Sequence, residues 1–283
     1  MRIAILMTVF NRILQTNLSL LNLYEQIKVI DAVDFQVFIT DGGSNDGTFE
    51  LISQAYPQAH LYKRQGAYWN KGMWNSWTKA LESNFDFYLW LNDDVDLFEG
   101  TMAKISTILS EQEIFENMVL VGSTREPNSN FHSYGPLKIK HRYSPLNFEI
   151  DNSDGTNSVT FNGNFVLVPR NVVAHIGILD DRFSHSFGDI DYGLRASKCG
   201  IQIVNLPFSV GSCPKNREWS NIQNGNSSKV SLSFILQHPK GIPYKEWLLF
   251  TKKHGGKLWL LRFFWRYLIF FTRLLKSKLS ARF

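Results

Sequence analysis

Three acidic side chains follow a short apolar run in the first half of the chain. Asp93, Asp94 and Asp96 come directly after the apolar segment 89–91 and Asn92. Like charges crowded together repel each other unless a cation compensates them. Carboxylate oxygens suit Mg²⁺ or Mn²⁺, which can bridge a carboxylate to the phosphates of a substrate. The spacing therefore predicts a divalent-cation site, with a solvated turn before the helix after Gly100 as the structural alternative.

A second acidic group lies near residue 190. Asp189 and Asp191 stand at the start of a predicted helix, where the helix dipole favours negative charge, and Arg195 follows Asp191 by four residues. An ion pair with Arg195 would account for Asp191. Asp189 and His185 stay as candidates for proton transfer, because either can act as a general base if it reaches a substrate hydroxyl.

A glycine-rich turn, Asp41–Thr48, follows the second predicted strand. Gly42 and Gly43 suit a tight turn, and Asp46 is a candidate N-cap for the next helix. A carboxylate only accepts hydrogen bonds, so Asp41 would suit the N–H edge of uracil or thymine if it faced a nucleotide base. The G-x-G-x-x-G dinucleotide fingerprint is absent after the first strand, because 8–12 contains no glycine.

The elements that must position these residues alternate between apolar runs and helical patterns. This order is typical of an α/β fold with a mostly parallel sheet and flanking helices, in which ligands bind at the carboxyl ends of the strands. The predicted strands are Ile3–Val9, Phe35–Thr40, His60–Lys63, Phe87–Leu91, Met118–Val121, Phe165–Val168 and Ile201–Val204, and the predicted helices lie near residues 13–28, 47–55, 71–82, 100–110 and 189–199, with another beginning after Pro169.

Two further stretches differ from this pattern. Residues 123–158 are polar, contain no helical period and predict short antiparallel strands. Residues 215–229 form a polar loop that contains Trp219, and its Asn, Ser and Gly content is typical of a segment that closes over a ligand.

The 283 residues contain 44% hydrophobic residues, which excludes a disordered chain. Two cysteines are too few for a disulfide scaffold and lack the spacing of a zinc site, which favours a reducing compartment. The opening segment, with no small-residue cleavage site, predicts a first strand and not a signal peptide. These features predict a cytoplasmic protein.

The net charge of +5 comes entirely from the C-terminus. Residues 251–283 contain nine basic residues and no acid, so residues 1–250 carry −4. Between Leu258 and Leu275 three arginines cost about 2.5–3.5 kcal/mol each at a bilayer centre, which exceeds the gain from the apolar residues there. The pattern instead predicts an interfacial amphipathic helix, with Trp259, Phe264 and Trp265 in the acyl boundary. Docking of this helix onto its own domain or onto a second copy is the alternative. Its many apolar residues argue against nucleic-acid binding.

Taken in order, these segments resemble the inverting family 2 glycosyltransferases of the GT-A fold, over about residues 1–210. Asp41–Thr48 is similar to the family's Asp-Asp-Gly-Ser-x-Asp-Gly-Thr motif, with Gly42 in place of the second Asp. Asn92-Asp93-Asp94 is similar to the metal-binding D-x-D element. Gly188-Asp189-Ile190-Asp191 resembles the family's Glu-Asp-x-Asp segment, with Gly188 in place of Glu.

The resemblance assigns roles to residues. It implies that Asp189 is the catalytic base, that Asp94 binds Mg²⁺ or Mn²⁺, and that Asp93 contacts the donor. The segment 5–12 is similar to the family's opening strand and turn, which contact the nucleotide. The segment 162–164 is similar to one that lines the donor sugar, and the segment 68–73 resembles a stretch of bacterial polysaccharide enzymes. The nucleotide and donor residues are then Thr8, Phe10, Asp41, Asp93 and Asn164, and the secondary or acceptor candidates are His185, Asp191, Trp69 and Asn70.

The implied fold is a GT-A α/β domain over residues 1–245, with a nucleotide-binding half at 1–122 and an acceptor-binding half at 123–245. Residues 246–283 would form a basic tail that associates peripherally, through 257–283, with the cytoplasmic face of the inner membrane. The implied function is transfer of a hexose, with inversion, from a UDP- or dTDP-sugar to a glycan or lipid-linked acceptor in cell-surface polysaccharide (O-antigen type) synthesis. A membrane-recruited module that binds a nucleotide sugar without turnover is the alternative.

Overall fold

The computed structural model describes residues 1–111, 117–152, 158–216 and 232–280, with the side chains of 111, 232 and 276–280 outside the description. The helices are α1 (Ile13–Ile27), α2 (Thr48–Ala55), α3 (Trp69–Ala80), α4 (Thr101–Glu111), α5 (Arg170–Ile176), α6 (Gly188–Lys198), α7 (Leu232–Gln237), α8 (Tyr244–His254) and α9 (Trp259–Ser280). Residues 217–231, which hold most of the loop at 215–229, lie outside the described part of the chain.

The strands form two sheets. They are β1 (Arg2–Val9), β2 (Asp34–Asp41), β3 (His60–Lys63), β4 (Phe87–Leu91), β5 (Asp96–Leu97), β6 (Met118–Arg125), β7 (His132–Tyr134), β8 (Pro136–His141), β9 (Ser144–Ile150), β10 (Thr160–Phe161), β11 (Phe165–Pro169) and β12 (Gln202–Ser212). The large sheet has the order β3-β2-β1-β4-β11-β6-β12-β5, with β7 beside β6, and the small sheet has the order β10-β8-β9. The predicted α/β class is confirmed.

The large sheet is parallel in its N-terminal part and mixed beyond it. Strands β3, β2, β1 and β4 run parallel to one another, and β6 and β12 form another parallel pair. Strand β11 is antiparallel to both of its neighbours, β4 and β6. The predicted antiparallel strands of 123–158 are confirmed by β7, β8 and β9.

The alternation of side chains along β1 explains the layered core. Ile3, Ile5 and Met7 point to one face of the sheet, and Ala4 and Leu6 point to the other. The first face is covered by α1, α2 and α4, and the second by α3, α5 and α6, through the buried residues that each contributes. A sheet covered by helices on both faces requires strands that are apolar along most of their length, as β1, β4 and β11 are.

The C-terminal helices add a third apolar layer. Its buried members are Phe183, Leu194, Ile235, Ile242, Trp247, Phe250, Tyr267 and Phe270. Since α8 and α9 pack on residues of the central domain here, the C-terminal segment is part of the folded body. No described helix combines the length and the unbroken apolarity of a membrane span.

Candidate functional site

The carboxyl ends of β1, β2 and β4 meet at one edge of the large sheet, next to a cavity of about 460 Å³. Strand β11 is antiparallel to β4, so its first residue, Phe165, lies at the same edge opposite Leu91. This topology places the loops after β1, β2 and β4 and the loop before β11 together. Of the residues predicted from the sequence, the cavity is lined by Thr8, Phe10, Trp69, Asp93 and His185.

The two central acids converge on an arginine from the loop after β1. One guanidinium nitrogen of Arg12, Nη1, lies 3.1 Å from Asp93 Oδ1 and 3.0 Å from Asp94 Oδ2. The Thr16 hydroxyl donates to the other Asp93 oxygen, Oδ2, at 3.0 Å. Burial raises the pKa of Asp93 to about 6, although Arg12 and Thr16 act in the opposite direction. In this structure Arg12 provides the positive charge that partly compensates the two acids.

Asp93 and Asp94 fit a divalent cation that is shared with a substrate. Their oxygens already converge on one positive group, and hard cations prefer carboxylate ligands. No cluster of three or more His, Cys, Asp or Glu side chains suited to a metal occurs among the described residues. A cation at Asp93 and Asp94 would therefore complete its coordination with substrate phosphates and water, which is how Mg²⁺ is usually held.

Asp189 lies at the start of α6 and is held by backbone groups. Its Oδ1 accepts the N–H of Ile190 at 2.8 Å, and its Oδ2 accepts the N–H of Gly163 at 3.0 Å. The carboxylate has four lone-pair positions, so two stay available for another donor. Burial raises the pKa of Asp189 to about 6, against the effect of these hydrogen bonds. A carboxylate with a raised pKa is a stronger base than an ordinary aspartate.

A short chain of contacts joins Asp189 to Asp94. Asn164 follows Gly163, and its side-chain nitrogen lies 3.5 Å from Cys213 Sγ. Cys213 Sγ lies 3.6 Å from Asp94 Oδ1. Burial raises the pKa of the Cys213 thiol, so this sulfur is uncharged. The structure therefore brings the predicted base, a predicted donor residue and the predicted metal ligand into one region.

Asp191 is fully buried on the far side of the same helix. It pairs with Arg195 at 2.9 Å, as one of the sequence interpretations expected. His254 Nε2 lies 2.8 Å from Asp191 Oδ1, and Lys253 pairs with the same oxygen. Burial would raise the pKa of Asp191, but the hydrogen bonds from His254 and Lys253 outweigh it and keep the pKa low. Asp191 thus joins α6 to α8, a structural role.

Asp41 lies at the end of β2 and is buried. Its Oδ1 accepts the N–H groups of Gly43 and Ser44, each at 2.7 Å, whereas Oδ2 is a buried oxygen without a hydrogen-bond partner. Gly42, which follows it, lines the cavity, and a side chain at this position would come within 2.5 Å of the Ala67 carbonyl oxygen. This close approach explains why a glycine occupies position 42.

The turn after Asp41 differs in one detail from the sequence expectation. The N-cap of α2 is Gly47, and Asp46 precedes it. Asp46 Oδ1 accepts the N–H of Thr48 at 3.1 Å, and its Oδ2 accepts the N–H of Ile13 at 3.0 Å. Asp46 therefore satisfies the first turns of two helices at once.

Trp69 and Asn70, at the start of α3, occupy different environments. The Trp69 indole N–H donates to Asn92 Oδ1 at 2.7 Å, and its ring covers Gly163, where an added Cβ would lie 2.5 Å away. Asn70 is buried and donates to the carbonyls of Asp180 and Phe183. Trp69 therefore lines the site, whereas Asn70 stabilises the loop before α6.

Asn70 also explains the glycine at position 188. A Cβ added at Gly188 would overlap the Asn70 side-chain oxygen. A glutamate at this position would require Asn70 to move and to lose its two hydrogen bonds. The glycine is therefore a packing requirement of this chain.

One wall of the cavity comes from a region that sequence reasoning missed. Phe234, His238 and Lys240 line the cavity opposite the strand ends. Tyr68 Oη lies 3.1 Å from His238 Nε2. Burial, with Lys240, His238 and Arg12 nearby, lowers the pKa of His185 to about 4, so its imidazole is neutral at pH 7. No spacing or motif could have linked residues 234–240 to the strand ends, because only the packing of α7 brings them there.

The last helix has two apolar faces. Tyr267 and Phe270 are buried against the body, and Trp247 donates its indole N–H to the Phe263 carbonyl. Large apolar side chains with i, i+4 and i+7 spacing are exposed on another face, which holds Leu261, Phe264, Trp265, Leu268 and Leu275. At about 100° per residue, Arg262, Arg266 and Arg273 form a basic stripe between the two faces. Docking onto the chain's own domain, the alternative interpretation of the sequence, therefore accounts for one face of α9. The other face is exposed.

Comparisons with known proteins identify the fold. No protein-family model and no curated protein matches the chain. Among solved structures, TarS 1–349 from S. aureus has a TM-score of 0.56 and 15% identity, and the match covers 100% of this chain and 91% of that one. The same fragment in complex with UDP has a TM-score of 0.55 and 14% identity, over 100% of this chain and 91% of that one.

A mannosyltransferase from Pyrobaculum calidifontis, in complex with GDP-Man and Mn²⁺, has a TM-score of 0.51 and 15% identity, over 99% of this chain and 84% of that chain. The chain has the fold of these proteins. The GT-A type of α/β fold predicted from the sequence is therefore confirmed. At these identities the likeness concerns the fold, and the chemistry must be argued from the residues of this chain.

Proposed function

We propose that this chain is a metal-dependent inverting glycosyltransferase that transfers a sugar from a nucleotide diphosphate donor to a hydroxyl group. One observation carries the proposal: the acids after β4 and the acid at the start of α6 meet at one edge of the sheet, linked through Gly163, Asn164 and Cys213. A cation site for a diphosphate and a separate base for an acceptor are the two groups that this reaction needs.

The donor would bind in the 460 Å³ cavity. Phe10 is exposed there and offers a ring face for the base, while Thr8 lies deeper beside it. Asp41 is buried directly before Gly42, which lines the cavity, and if a base reached the unpartnered Oδ2 of Asp41 this oxygen would accept a base N–H, which favours UDP or dTDP as the nucleotide. Trp69 lines the cavity and packs over Gly163, whose N–H binds Asp189, so the sugar would lie near Trp69 and the neighbouring Asn164.

Asp94, together with Asp93, would hold Mg²⁺ or Mn²⁺. When bound, this ion would supply positive charge that stabilises the departing diphosphate. The Asp94 side chain keeps about a third of its surface exposed, whereas Asp93 is buried and hydrogen-bonded to Thr16. Asp94 is therefore the more accessible ligand, and Asp93 orients the site.

Asp189 would accept the proton of the acceptor hydroxyl. Its two backbone hydrogen bonds fix the carboxylate, and its raised pKa makes it an effective base near neutral pH. Attack by the hydroxyl from the Asp189 side, opposite the departing diphosphate, would invert the anomeric configuration. The neutral His185 beside Trp69 is a candidate for contact with the sugar or the acceptor.

The C-terminal helix supports a proposal for the acceptor and the location. The exposed apolar face of α9, with its basic stripe, is suited to an anionic lipid surface. A lipid-linked glycan would be presented at such a surface, as in the assembly of O-antigen and other cell-surface polysaccharides. We therefore include peripheral attachment through 257–283 at the cytoplasmic face of the membrane in the proposal, with the GT-A domain at 1–245 and its halves at 1–122 and 123–245.

A screen of UDP-, dTDP- and GDP-sugars tests the donor site. Thermal melting of the full chain is measured with each compound, with and without Mg²⁺ or Mn²⁺, and ligands that stabilise it are carried into product analysis. We expect stabilisation by at least one of them only when metal is present, followed by transfer or slow hydrolysis. Stabilisation by none would contradict the donor site, and binding without turnover over a range of acceptors would favour the alternative of a non-catalytic nucleotide-sugar-binding module.

A further inference from the structure

Arg12 occupies the position between the two acids that a divalent cation would need. Its Nη1 bridges Asp93 Oδ1 and Asp94 Oδ2, and the remaining Asp93 oxygen is held by Thr16. A metal ion that binds both carboxylates through these oxygens cannot do so while the guanidinium lies between them. The two cations are therefore alternatives at one site.

The competition has a physical reason. Asp93 is nearly fully buried, and two adjacent carboxylates without a counter-charge would repel each other strongly. Arg12 supplies one positive charge against the two acids and so lowers their repulsion before any substrate binds. The Arg12 side chain is itself 44% exposed and lines the cavity, so it can leave the acids without crossing the packed core.

We propose that Arg12 is an internal counter-ion that the divalent cation displaces, and that the released guanidinium then binds the diphosphate of the nucleotide. This inference rests on the proposed function and specifies how its metal site is regulated. The planar guanidinium matches phosphate oxygens through paired hydrogen bonds, and the cavity that it faces is the one assigned to the donor.

Such an exchange couples the two ligands. Metal alone must displace Arg12 without compensation, whereas metal together with a nucleoside diphosphate gives Arg12 a new partner. Linkage requires that the nucleotide raise the affinity for metal by the same factor as the metal raises the affinity for nucleotide. In the wild-type protein we expect weak binding of metal alone and strong mutual enhancement with nucleotide.

Binding of Mn²⁺, followed by electron paramagnetic resonance on the full chain without nucleotide, tests the competition directly. Arg12→Gln is expected to bind Mn²⁺ at least about fivefold more tightly than the wild type, which is the lower end of ordinary coupling factors. Arg12→Met provides a second neutral variant with most of the aliphatic stem. Arg170→Gln, which removes a cation from an exposed pair with Asp86, is the matched control and should leave Mn²⁺ binding unchanged.

The same titration with UDP and with GDP measures the coupling. We expect the nucleotide to enhance Mn²⁺ binding more in the wild type than in Arg12→Gln, and Asp94→Asn to remove the tight site in both backgrounds. Equal Mn²⁺ affinity of the wild type and both neutral variants would overturn the inference. A different result would contradict the proposed function: neither UDP nor GDP would bind the wild type, with or without Mn²⁺. In that case Arg12→Gln could still bind Mn²⁺ more tightly than the wild type.

Discussion

The Oδ2 atom of Asp189 accepts a hydrogen bond from the backbone N–H of Gly163 at 3.0 Å. The two residues are 26 positions apart and belong to different elements, the start of α6 and the loop before β11. The next residue, Asn164, accepts the N–H of Asn92 with its carbonyl oxygen. Together the two hydrogen bonds connect the candidate base to the acids after β4.

Replacing Asp189 with Asn should abolish sugar transfer while donor binding is kept. The amide cannot accept the acceptor's proton, and loss of a general base typically costs 10²- to 10⁴-fold in rate. Turnover and nucleotide affinity are measured separately on the same preparation. Asp181→Asn, an exposed acid in the same segment, is the control and should behave as the wild type. Near-normal transfer by Asp189→Asn would exclude Asp189 as the base.

The pH dependence of transfer should report the raised pKa of Asp189. The base works in its ionised form, and its pKa of about 6 lies above the usual value of 3.8. We expect kcat, measured at saturating donor and acceptor, to rise with pH and to reach half its maximum near pH 6. A midpoint near pH 4 would show that the working carboxylate is an ordinary, solvated one.

Replacing Asp94 with Ala should remove the metal-dependent part of donor binding. Without this ligand the metal has lost its more accessible carboxylate, so nucleotide affinity should become the same with and without Mg²⁺. Calorimetric titration of nucleotide under both conditions measures the difference. The control is Asp96→Ala, because Asp96 is an exposed acid two residues away that pairs with Asn22. A metal effect that persists in Asp94→Ala would contradict the assignment.

Replacing Asp191 with Asn should destabilise the whole chain by up to about 3–5 kcal/mol, because it removes a buried negative charge that faces Lys253 and Arg195. Lys253, His254 and Arg195 all donate to this fully buried carboxylate. The exposed pair of Asp34 with Arg2 is the control, where Asp34→Asn should cost under about 1 kcal/mol. Urea unfolding at pH 7 compares the two variants, and equal costs would contradict the structural role.

The lowered pKa of Asp191 also gives the sign of a pH effect. Its stabilising contribution is present above the unfolded-state pKa of an aspartate and is lost as the pH falls through the lower folded-state value. The difference in unfolding free energy between the wild type and Asp191→Asn should therefore shrink in strong acid and stay constant around neutrality.

The exposed face of α9 should bind anionic membranes. Deleting 257–283 would also remove Tyr267 and Phe270 from the third apolar layer, so surface substitutions are the sharper test. A triple variant should lose co-sedimentation with phosphatidylglycerol vesicles and keep its melting temperature. It combines Leu261→Gln, Trp265→Gln and Leu268→Gln.

Leu14 and Leu18, which are exposed on α1, offer the matched control. Their change to Gln removes exposed apolar surface from another helix and should leave vesicle binding intact. Binding should also weaken as salt increases, because the basic stripe contributes electrostatically. Equal partitioning of the wild type and the α9 variant would indicate that this face has a role other than lipid binding.

Local pattern was sufficient to predict most of the individual elements. The bounds of β3 and β4 are those predicted, because apolar runs between turn residues identify buried strands. Strand β12 runs on to Ser212, eight residues beyond the predicted end at Val204, because pairing with β6 and β5 extends it through a polar stretch. The antiparallel direction of β11 could not be predicted, since the direction of pairing depends on how the chain crosses the sheet.

By itself, the sequence determined which residues have the chemistry for the proposed reaction, because Asp94 and Asp189 occur in recognisable local patterns after a strand and before a helix. Only the tertiary structure decided their partners. Arg12 between the acids, Lys240 at the cavity and His254 on Asp191 are contacts between elements that lie far apart in the chain. Local spacing carries no information on such contacts, because they depend on how separate layers pack against one another.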